Sequence, residues 1–255
     1  MTYLSEVLAD APLHYWRMAD PGGGLCHDIG SSPVHQHVNA SALCLGYSGP
    51  NSDGGSCDLS NDNTFAITGE NVHFAGGALT LEMFVWNFSH IATLNQQLFW
   101  NCALAQYSLY NDNTFWRFIY NSVFVPVGGV TAPVTQQWTH LVGTYGGGNG
   151  QLYVNGAASG GAVAIAAGAA DNGRIDECHN VAAGSRGFVS EVAIYLSQLS
   201  AARAAAHYAA ADQLAQAPVF TQAGHFSSST GSGATLAADA SSILAAVTKT
   251  VANSP

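Results

Sequence analysis

From Leu79 to Asn87 the chain reads Leu-Thr-Leu-Glu-Met-Phe-Val-Trp-Asn, and alternation divides it into two faces. Leu79, Leu81, Met83 and Val85 fall on one face, and Thr80, Glu82, Phe84 and Trp86 on the other. A strand that is apolar on both sides is buried on both, so this stretch predicts a central strand of a sandwich. Further short strands are predicted at 97–100, 106–110, 114–120, 123–127, 138–145, 150–154, 162–167, 180–184 and 187–195. Directly after the strand at 150–154 stands Asn155-Gly156, a strong hairpin signal because both residues accept positive φ. Leu4, Val7 and Leu8 predict a helical turn that feeds a first strand, with Tyr15 and Trp16 on opposite faces. Residues 20–60 are rich in Gly, Ser, Asn and Asp, which predicts long rim loops between short strands. Near the end of this pattern Ser200 caps a helix running to about Gln213.

Past that helix the pattern changes. A Pro-, Gly- and Ser-containing linker covers 215–233, and a second amphipathic helix is predicted from Ala234 to Val251. Its apolar positions Leu236, Ala240, Ile243, Val247 and Val251 make a narrow seam, suited to docking on the domain or on a partner helix. The expected organisation is one β domain over 1–214 and an assembly tail over 215–255.

Composition sharpens this picture. Hydrophobic residues make up 48% of the chain, enough for a sizeable core, while charged residues are 9%. An ordinary soluble domain carries roughly 25% charge. So low a value fits either a composition biased to Ala and Gly or a surface covered by partners, because interface cores are depleted in charge. The net charge of −10 and the scattered arginines exclude a phosphate-binding surface, and no nucleic-acid partner is expected. The start Met-Thr-Tyr-Leu-Ser-Glu has neither cationic nor apolar signal character. The run Ala162–Ala170 is too short to cross a bilayer, so no membrane partner is expected. The five cysteines contain no C-x-x-C pair, and buried thiols or one bridge among Cys26, Cys44 and Cys57 remain open.

Five motifs in order carry a family resemblance. They are Val7 to Met18 with Tyr15-Trp16-Arg17, Leu79 to Trp86 around Glu82, Trp138-Thr-His140 through Tyr145, Leu152-Tyr-Val-Asn-Gly156, and Val189 to Tyr195 followed by Leu199-Ser200 and His207-Tyr208. The ordered set resembles the laminin-G-like, concanavalin A-like jelly-roll modules of bacteria and their viruses, over roughly residues 3–210. The resemblance implies an all-β, laminin-G-like jelly-roll sandwich with a short C-terminal helical appendage. Ser190 stands where the family usually has Asp, which weakens any family metal role at that position.

Glucanases on this fold use paired carboxylates about 5 Å apart in the retaining case. Glu82 has no second carboxylate at even spacing on its strand, so it is expected to pair with an arginine or another buried donor. Asp176 and Glu177 are adjacent and face opposite sides of a strand. No G-x-S-x-G, phosphate loop or H-E-x-x-H is present. For metals, His35-x-His37 is the best zinc pattern, set against surface histidines on a rim loop. The repeated Asn-Asp-Asn-Thr-Phe at 61–65 and 111–115 reads as two turn-into-strand corners, or as a calcium rim site. His140 is expected to bond a backbone group, and His207-Tyr208 to pack the helix on the sheet. Trp100, Tyr107, Tyr110, Trp116 and Tyr120 could stack on sugars or fill the core.

These observations lead to the expectation of a non-enzymatic virion component without a cofactor, made in the host cytoplasm. A bacteriophage tail tip, fibre or capsid decoration, built as a homo-oligomer or symmetric assembly with other virion proteins, fits the low charge and the seam. A lectin-like module for host-surface glycans is the alternative, and a glycosidase ranks third.

Overall fold

The computed structural model describes residues 1–20, 25–33, 36–38, 45–58, 65–66, 77–87, 96–100, 107–111, 114–128, 130–166, 177–178, 187–212 and 214–219. The chain divides into two units, Met1–Thr221 and Gln222–Pro255. The second unit, with Leu236, Ala240, Ile243, Val247 and Val251, lies outside the described residues. The first begins with α1 (Tyr3–Ala9), β1 (His14–Trp16), β2 (Leu25–Cys26), β3 (Gln36–Val38), β4 (Tyr47–Ser48), β5 (Gly55–Asp58) and β6 (Phe65–Ala66). Next come β7 (Leu79–Asn87), β8 (Gln96–Trp100), β9 (Tyr107–Asn111), β10 (Trp116–Tyr120) and β11 (Val123–Val125). It closes with β12 (Trp138–Gly146), β13 (Asn149–Val154), β14 (Ala157–Ala158), β15 (Val163–Ala164), β16 (Glu177–Cys178), β17 (Gly187–Tyr195) and α2 (Ala201–Ala210).

Among the described residues the strands form two antiparallel sheets, the concanavalin A-like jelly-roll sandwich. One runs β14-β13-β12-β7-β17-β5-β4, with β1 added to β17 and β15 to β13. The other runs β11-β10-β9-β8-β16-β6-β3-β2. As its alternation predicts, β7 is central and buried on both faces. Leu79, Leu81, Met83 and Val85 join Leu109, Trp116, Phe118, Leu141 and Val189 between the sheets. Phe84 and Trp86 turn the other way and pack with Tyr3, Val7, Trp138 and Tyr195, where α1 and α2 cover the first sheet. Hydrophobic burial on both faces of a single sheet therefore gives three layers: helices, sheet and sheet.

Local chemistry fixes the connections. Asn155 and Gly156 both take positive φ, at 51° and 75°, and turn β13 into β14 as the dipeptide predicts. Ser200 caps α2 by accepting from the Arg203 amide at 3.3 Å. That helix ends at Ala210 rather than near Gln213, because Asp212 is drawn aside to accept from the Ser52 amide and hydroxyl at 2.8 and 2.6 Å. β11 stops at Val125, before Pro126, which has no amide hydrogen to donate to a ladder. Cys26 and Cys57 are buried, with the Cys26 thiol directed at the Met18 sulfur at 3.5 Å. The predicted strand at 180–184 and the other three cysteine side chains lie outside the described residues.

One glycine sets how closely the sheets approach. Gly143 of β12 faces Phe118 of β10, and a Cβ there would land on the Phe118 ring with Leu109 beside it. Gly143→Ala is expected to lower unfolding free energy by about 1–3 kcal/mol through overpacking. Urea denaturation would measure it; a midpoint equal to that of the parent protein would contradict the described sheet-to-sheet contact.

Candidate functional site

The family-like motifs converge in space on two buried carboxylates. Glu82 projects from the middle of β7 into the layer under the helices and is fully buried. Four side chains from four elements donate to it: Tyr3 of α1 at 2.8 Å, Tyr195 of β17 at 2.6 Å, His140 of β12 through Nε2 at 2.7 Å, and His207 of α2 through Nδ1 at 2.9 Å. A carboxylate with several donors on its two oxygens keeps its charge without water. Burial pushes the Glu82 carboxyl up, but the charge of His207 and the hydrogen bonds from both histidines outweigh it and hold the group well below its ordinary value.

His207 faces a second carboxylate on its other side. Its Nε2 lies 3.0 Å from Asp10 Oδ2, at the C-terminal end of α1, while Nδ1 faces Glu82. Carboxylates at both nitrogens favour the doubly protonated ring, while Arg203 Nη2 lies 3.3 Å from the same Nε2. Burial would lower its pKa; Glu82 and then Asp10 overcome that and the opposing charge of Arg203, leaving it raised. Arg203, one turn earlier on α2, also bonds Asp10 through Nε at 2.8 Å and Glu6 through Nη2 at 2.8 Å. Thr80 fixes the approach to α2 by donating to Ser197 O at 2.7 Å and accepting from the Leu199 amide at 3.0 Å. Both helices are thus clamped to the sheet and to each other.

Glu191 forms the second node. β17 carries an extra residue here: Ser190 pairs with Phe84 and Ala193 with Glu82, so the register shifts across Glu191 and Val192. The bulge lies where the outer edge of β17 changes partner, from β5 at 188–189 to β1 at 192–194. Glu191 takes φ of 53°, a left-handed conformation that costs a side-chain-bearing residue about 1–2 kcal/mol. Its carboxylate accepts from Tyr15 OH, from Asn51 Nδ2 at 3.0 Å, and from Arg17 through Nε at 3.3 Å and Nη2 at 3.2 Å. Burial pushes the Glu191 carboxyl above its ordinary value, against the pull of Arg17, Tyr15 and Asn51. Gly54 is required beside it, since a Cβ there would collide with Glu191 Oε1. Ser190 donates to Gly55 O, so the residue that replaces the usual Asp ties the bulge to β5.

Several expectations change. Glu82 meets the second of its two expected partners, buried donors, which are two histidines and two tyrosines rather than an arginine. His140 bonds a carboxylate through its side chain rather than a backbone group. His207 does pack the helix on the sheet, through an ion pair. Of the aromatic candidates, Tyr107, Trp116 and Tyr120 belong to the core between the sheets, and Tyr120 stacks on Tyr145 at 3.8 Å. Core packing, one of the two roles open to them, accounts for these three. Trp100 ends β8, and Tyr110 stands on β9 as the register partner of Arg117. Sequence reasoning missed Tyr3 and Asn51 as partners of the two carboxylates, and Asp10 as the second partner of His207. It also missed His14, whose Nδ1 bonds Asp28 at 2.7 Å while the other Asp28 oxygen accepts from the Tyr15 and Gly30 amides. Among the described residues no group of three or more His, Cys, Asp or Glu is arranged to hold a metal. His35, the His37 side chain, Asp62 and Asp112 lie outside them.

The fold agrees with comparison to known proteins. A family model described as the concanavalin A-like lectin/glucanases superfamily matches residues 59–205, more than half of the chain, and the chain belongs to that family. No curated protein matches the sequence. Among solved structures, a Trypanosoma rangeli sialidase mutant displaying trans-sialidase activity is similar, with a TM-score of 0.58 and 17% identity over 78% of this chain and 33% of that one. The receptor binding domain of botulinum neurotoxin type G gives 0.56 and 11% over 78% of this chain and 51% of that one. The serotype D binding domain gives 0.57 and 11% over 80% and 52%. The chain therefore spans about a third to a half of these structures, and at such identities the likeness is one of fold.

The clamp has a pH signature. Because the His207 pKa is raised in the folded state, its contribution is complete below about pH 6.5, the unfolded value, and is lost as pH rises through the folded value. The Tyr3, Tyr15 and Tyr195 hydroxyls, all held well above 10 chiefly by burial, respond only at higher pH. The urea midpoint is expected to fall as pH rises above about 6.5, and His207→Asn to be less stable at about pH 6 with a gap that narrows as pH rises through the folded value. A gap that stayed constant with pH would show that the ring is not an imidazolium.

Proposed function

We propose that this protein is a non-catalytic recognition module that binds a carbohydrate on a cell or receptor surface. The observation that carries this reading is the state of the two motif carboxylates. Glu82 and Glu191 are fully buried and engaged by internal donors, so neither is open to a glycosidic bond. A retaining glycosidase needs two carboxylates reaching the bond from either side. The fold is one that serves receptor binding in the botulinum neurotoxin domains, which supports recognition as the task. Trp100 and Tyr110 are the aromatic positions to test, on neighbouring strands β8 and β9.

Binding of the full chain to an array of bacterial and animal glycans is the direct experiment. Trp100→Ala and Tyr110→Ala are each expected to weaken binding by about two- to tenfold, the worth of a lost aromatic contact at about 0.5–1.5 kcal/mol. Cleavage of any arrayed glycan, or a blank array, would remove this reading.

The particular setting we infer is a virion, as a tail-tip, fibre or capsid-decoration protein. It rests on the 9% charged composition and on the apolar spacing of Leu236, Ala240, Ile243, Val247 and Val251 in the tail. Deletion of 215–255 is expected to leave the β domain folded and to abolish incorporation into particles. Unchanged incorporation, read by mass spectrometry of purified particles, would refute the assembly role.

A further inference from the structure

Near one end of the first sheet, Trp138 of β12, Trp86 of β7 and Phe188 of β17 are register partners across three neighbouring strands. All three turn to the face that carries the helices. The Trp86 and Trp138 rings meet edge-on at 5.8 Å, and Tyr47 of β4 extends the row with its ring 4.8 Å from Phe188. The chain that leaves α2 covers this row. At one end of its 214–219 segment the Leu214 carbonyl accepts from the Trp138 amide of β12 at 3.1 Å. At the other end the Val219 carbonyl accepts from the Ser48 amide of β4 at 2.8 Å, and the Val219 amide donates to the Ser48 hydroxyl at 3.0 Å. Between those two strands lie β7, β17 and β5, so the segment crosses the row. The cover is thin: Leu214 packs on the aromatic cluster, 215–217 are exposed, and Val219 is 62% exposed. Asp212, bonded to Ser52, tethers it from the α2 side. Beneath it the Trp86 and Trp138 indoles are buried, and neither N–H has a hydrogen-bond partner among the described residues. A buried indole usually finds one.

We propose that 214–219 is a displaceable strap over a second recognition groove, and that the Trp138, Trp86, Phe188 and Tyr47 row takes a saccharide when the strap lifts. The proposal rests on the reading of this chain as a carbohydrate-recognition module, and adds to it a gated site on the other sheet from Trp100 and Tyr110. The two indoles select the occupant. Buried donors without acceptors are a cost of the closed state, which a ligand rich in oxygen acceptors removes. The strap is itself a peptide, and its Leu214 and Val219 carbonyls are spent on backbone amides, so a peptide in this place leaves both indoles unmet. A hydrocarbon partner would leave them equally unmet. Hydroxyls set around a sugar ring offer acceptors in several directions, and an aromatic lining with a few placed polar groups suits such a ligand. The net charge of −10 disfavours a nucleic acid.

Asp212→Ala with Leu214→Ala in the full chain loosens the strap at its tether and at its apolar contact. Acrylamide quenching of tryptophan fluorescence is expected to rise. Affinity for the bacterial and animal glycans of the array is expected to increase about tenfold, as for a groove open about a tenth of the time in the parent. Trp86→Phe or Trp138→Phe keeps a ring without the N–H and should cancel that gain, whereas Trp100→Ala should leave it in place. The unaltered protein, isotopically labelled at its indole nitrogens, gives a second reading that does not depend on the folding of a variant. There the strongest glycan of the array should shift the Trp86 and Trp138 N–H resonances. Quenching equal to the parent's, an affinity unchanged by loosening, a gain that survives both Phe substitutions, or unmoved indole resonances would overturn the gated site. Each of these leaves the recognition reading standing where Trp100→Ala still weakens binding. An array blank for parent and loosened variant alike overturns both. Binding of a peptide of the 214–219 sequence in place of any glycan would make the groove a peptide site and likewise overturn the proposal.

Discussion

A single buried carboxylate organises this molecule. Glu82 stands in the middle of the central strand, out of reach of water, and an unpaired charge there would be untenable. Its donors come from the first helix, two neighbouring strands and the last helix. Each has to arrive at the right place for the charge to be satisfied. Apolar burial alone would let α1 and α2 slide over the sheet at small cost, whereas a hydrogen-bonded anion fixes their position and rotation. Removing one partner of such a buried group typically costs about 3–5 kcal/mol, even where an apolar replacement of the whole cluster would be tolerated. The cluster therefore works as a specificity device: it ties residues at the two ends of the domain, Tyr3 and His207, to one point on the sheet.

Glu191 answers a different constraint. β17 has to serve β7 along its full length on one side and two short strands in turn on the other. The extra residue at the bulge resets the alternation, so that Val189 and Val192 both reach the core between the sheets. That leaves Glu191 in a left-handed conformation, and the bonds from Tyr15, Arg17 and Asn51 offset the strain. Arg17 continues outward to Asp53 at 2.8 Å, while Ser52 holds Asp212 just beyond α2. The rim turn at 51–54 is consequently fastened to β1, to β17 and to the end of α2. Glycine at 54 follows from this crowding rather than from the turn alone.

Alternation made the central strand, both of its faces and the Asn155-Gly156 hairpin legible before any coordinates. The Ser200 cap was legible too, because a cap is a local event. Long-range pairing was not. The sequence separates Tyr3 from Glu82 and Glu82 from His207, and no local rule says that a tyrosine of an N-terminal helix will meet a mid-sheet glutamate. The motif order did carry a trace of it, since Tyr15, Arg17, Glu82, His140, Glu191, Tyr195 and His207 all belong to the family-like motifs. Those residues invited chemical readings one at a time, and only their convergence reveals a structural role. The aromatic run at 107–120 left two roles open, core filling and ligand stacking. Tyr107, Trp116 and Tyr120 turn out to lie on the core face, and exposure to a ligand could not be inferred from density alone.

Recurring signature residues in a family with many tasks are expected to serve what its members share, and the fold is what they share. Here the carboxylates, histidines and arginine of the motifs are consumed in holding helices and bulge in place. The recognition proposed for this chain would then fall to residues outside the motifs, on the rims and on sheet surfaces that the clamp leaves free. That separation has a physical benefit. A ligand surface built on loops and edges can change without disturbing a buried ion cluster in which the loss of one partner is costly. It also explains why so weakly charged a chain remains specific in its fold: its decisive charges are inside, each with a defined partner, and the surface depends on them very little.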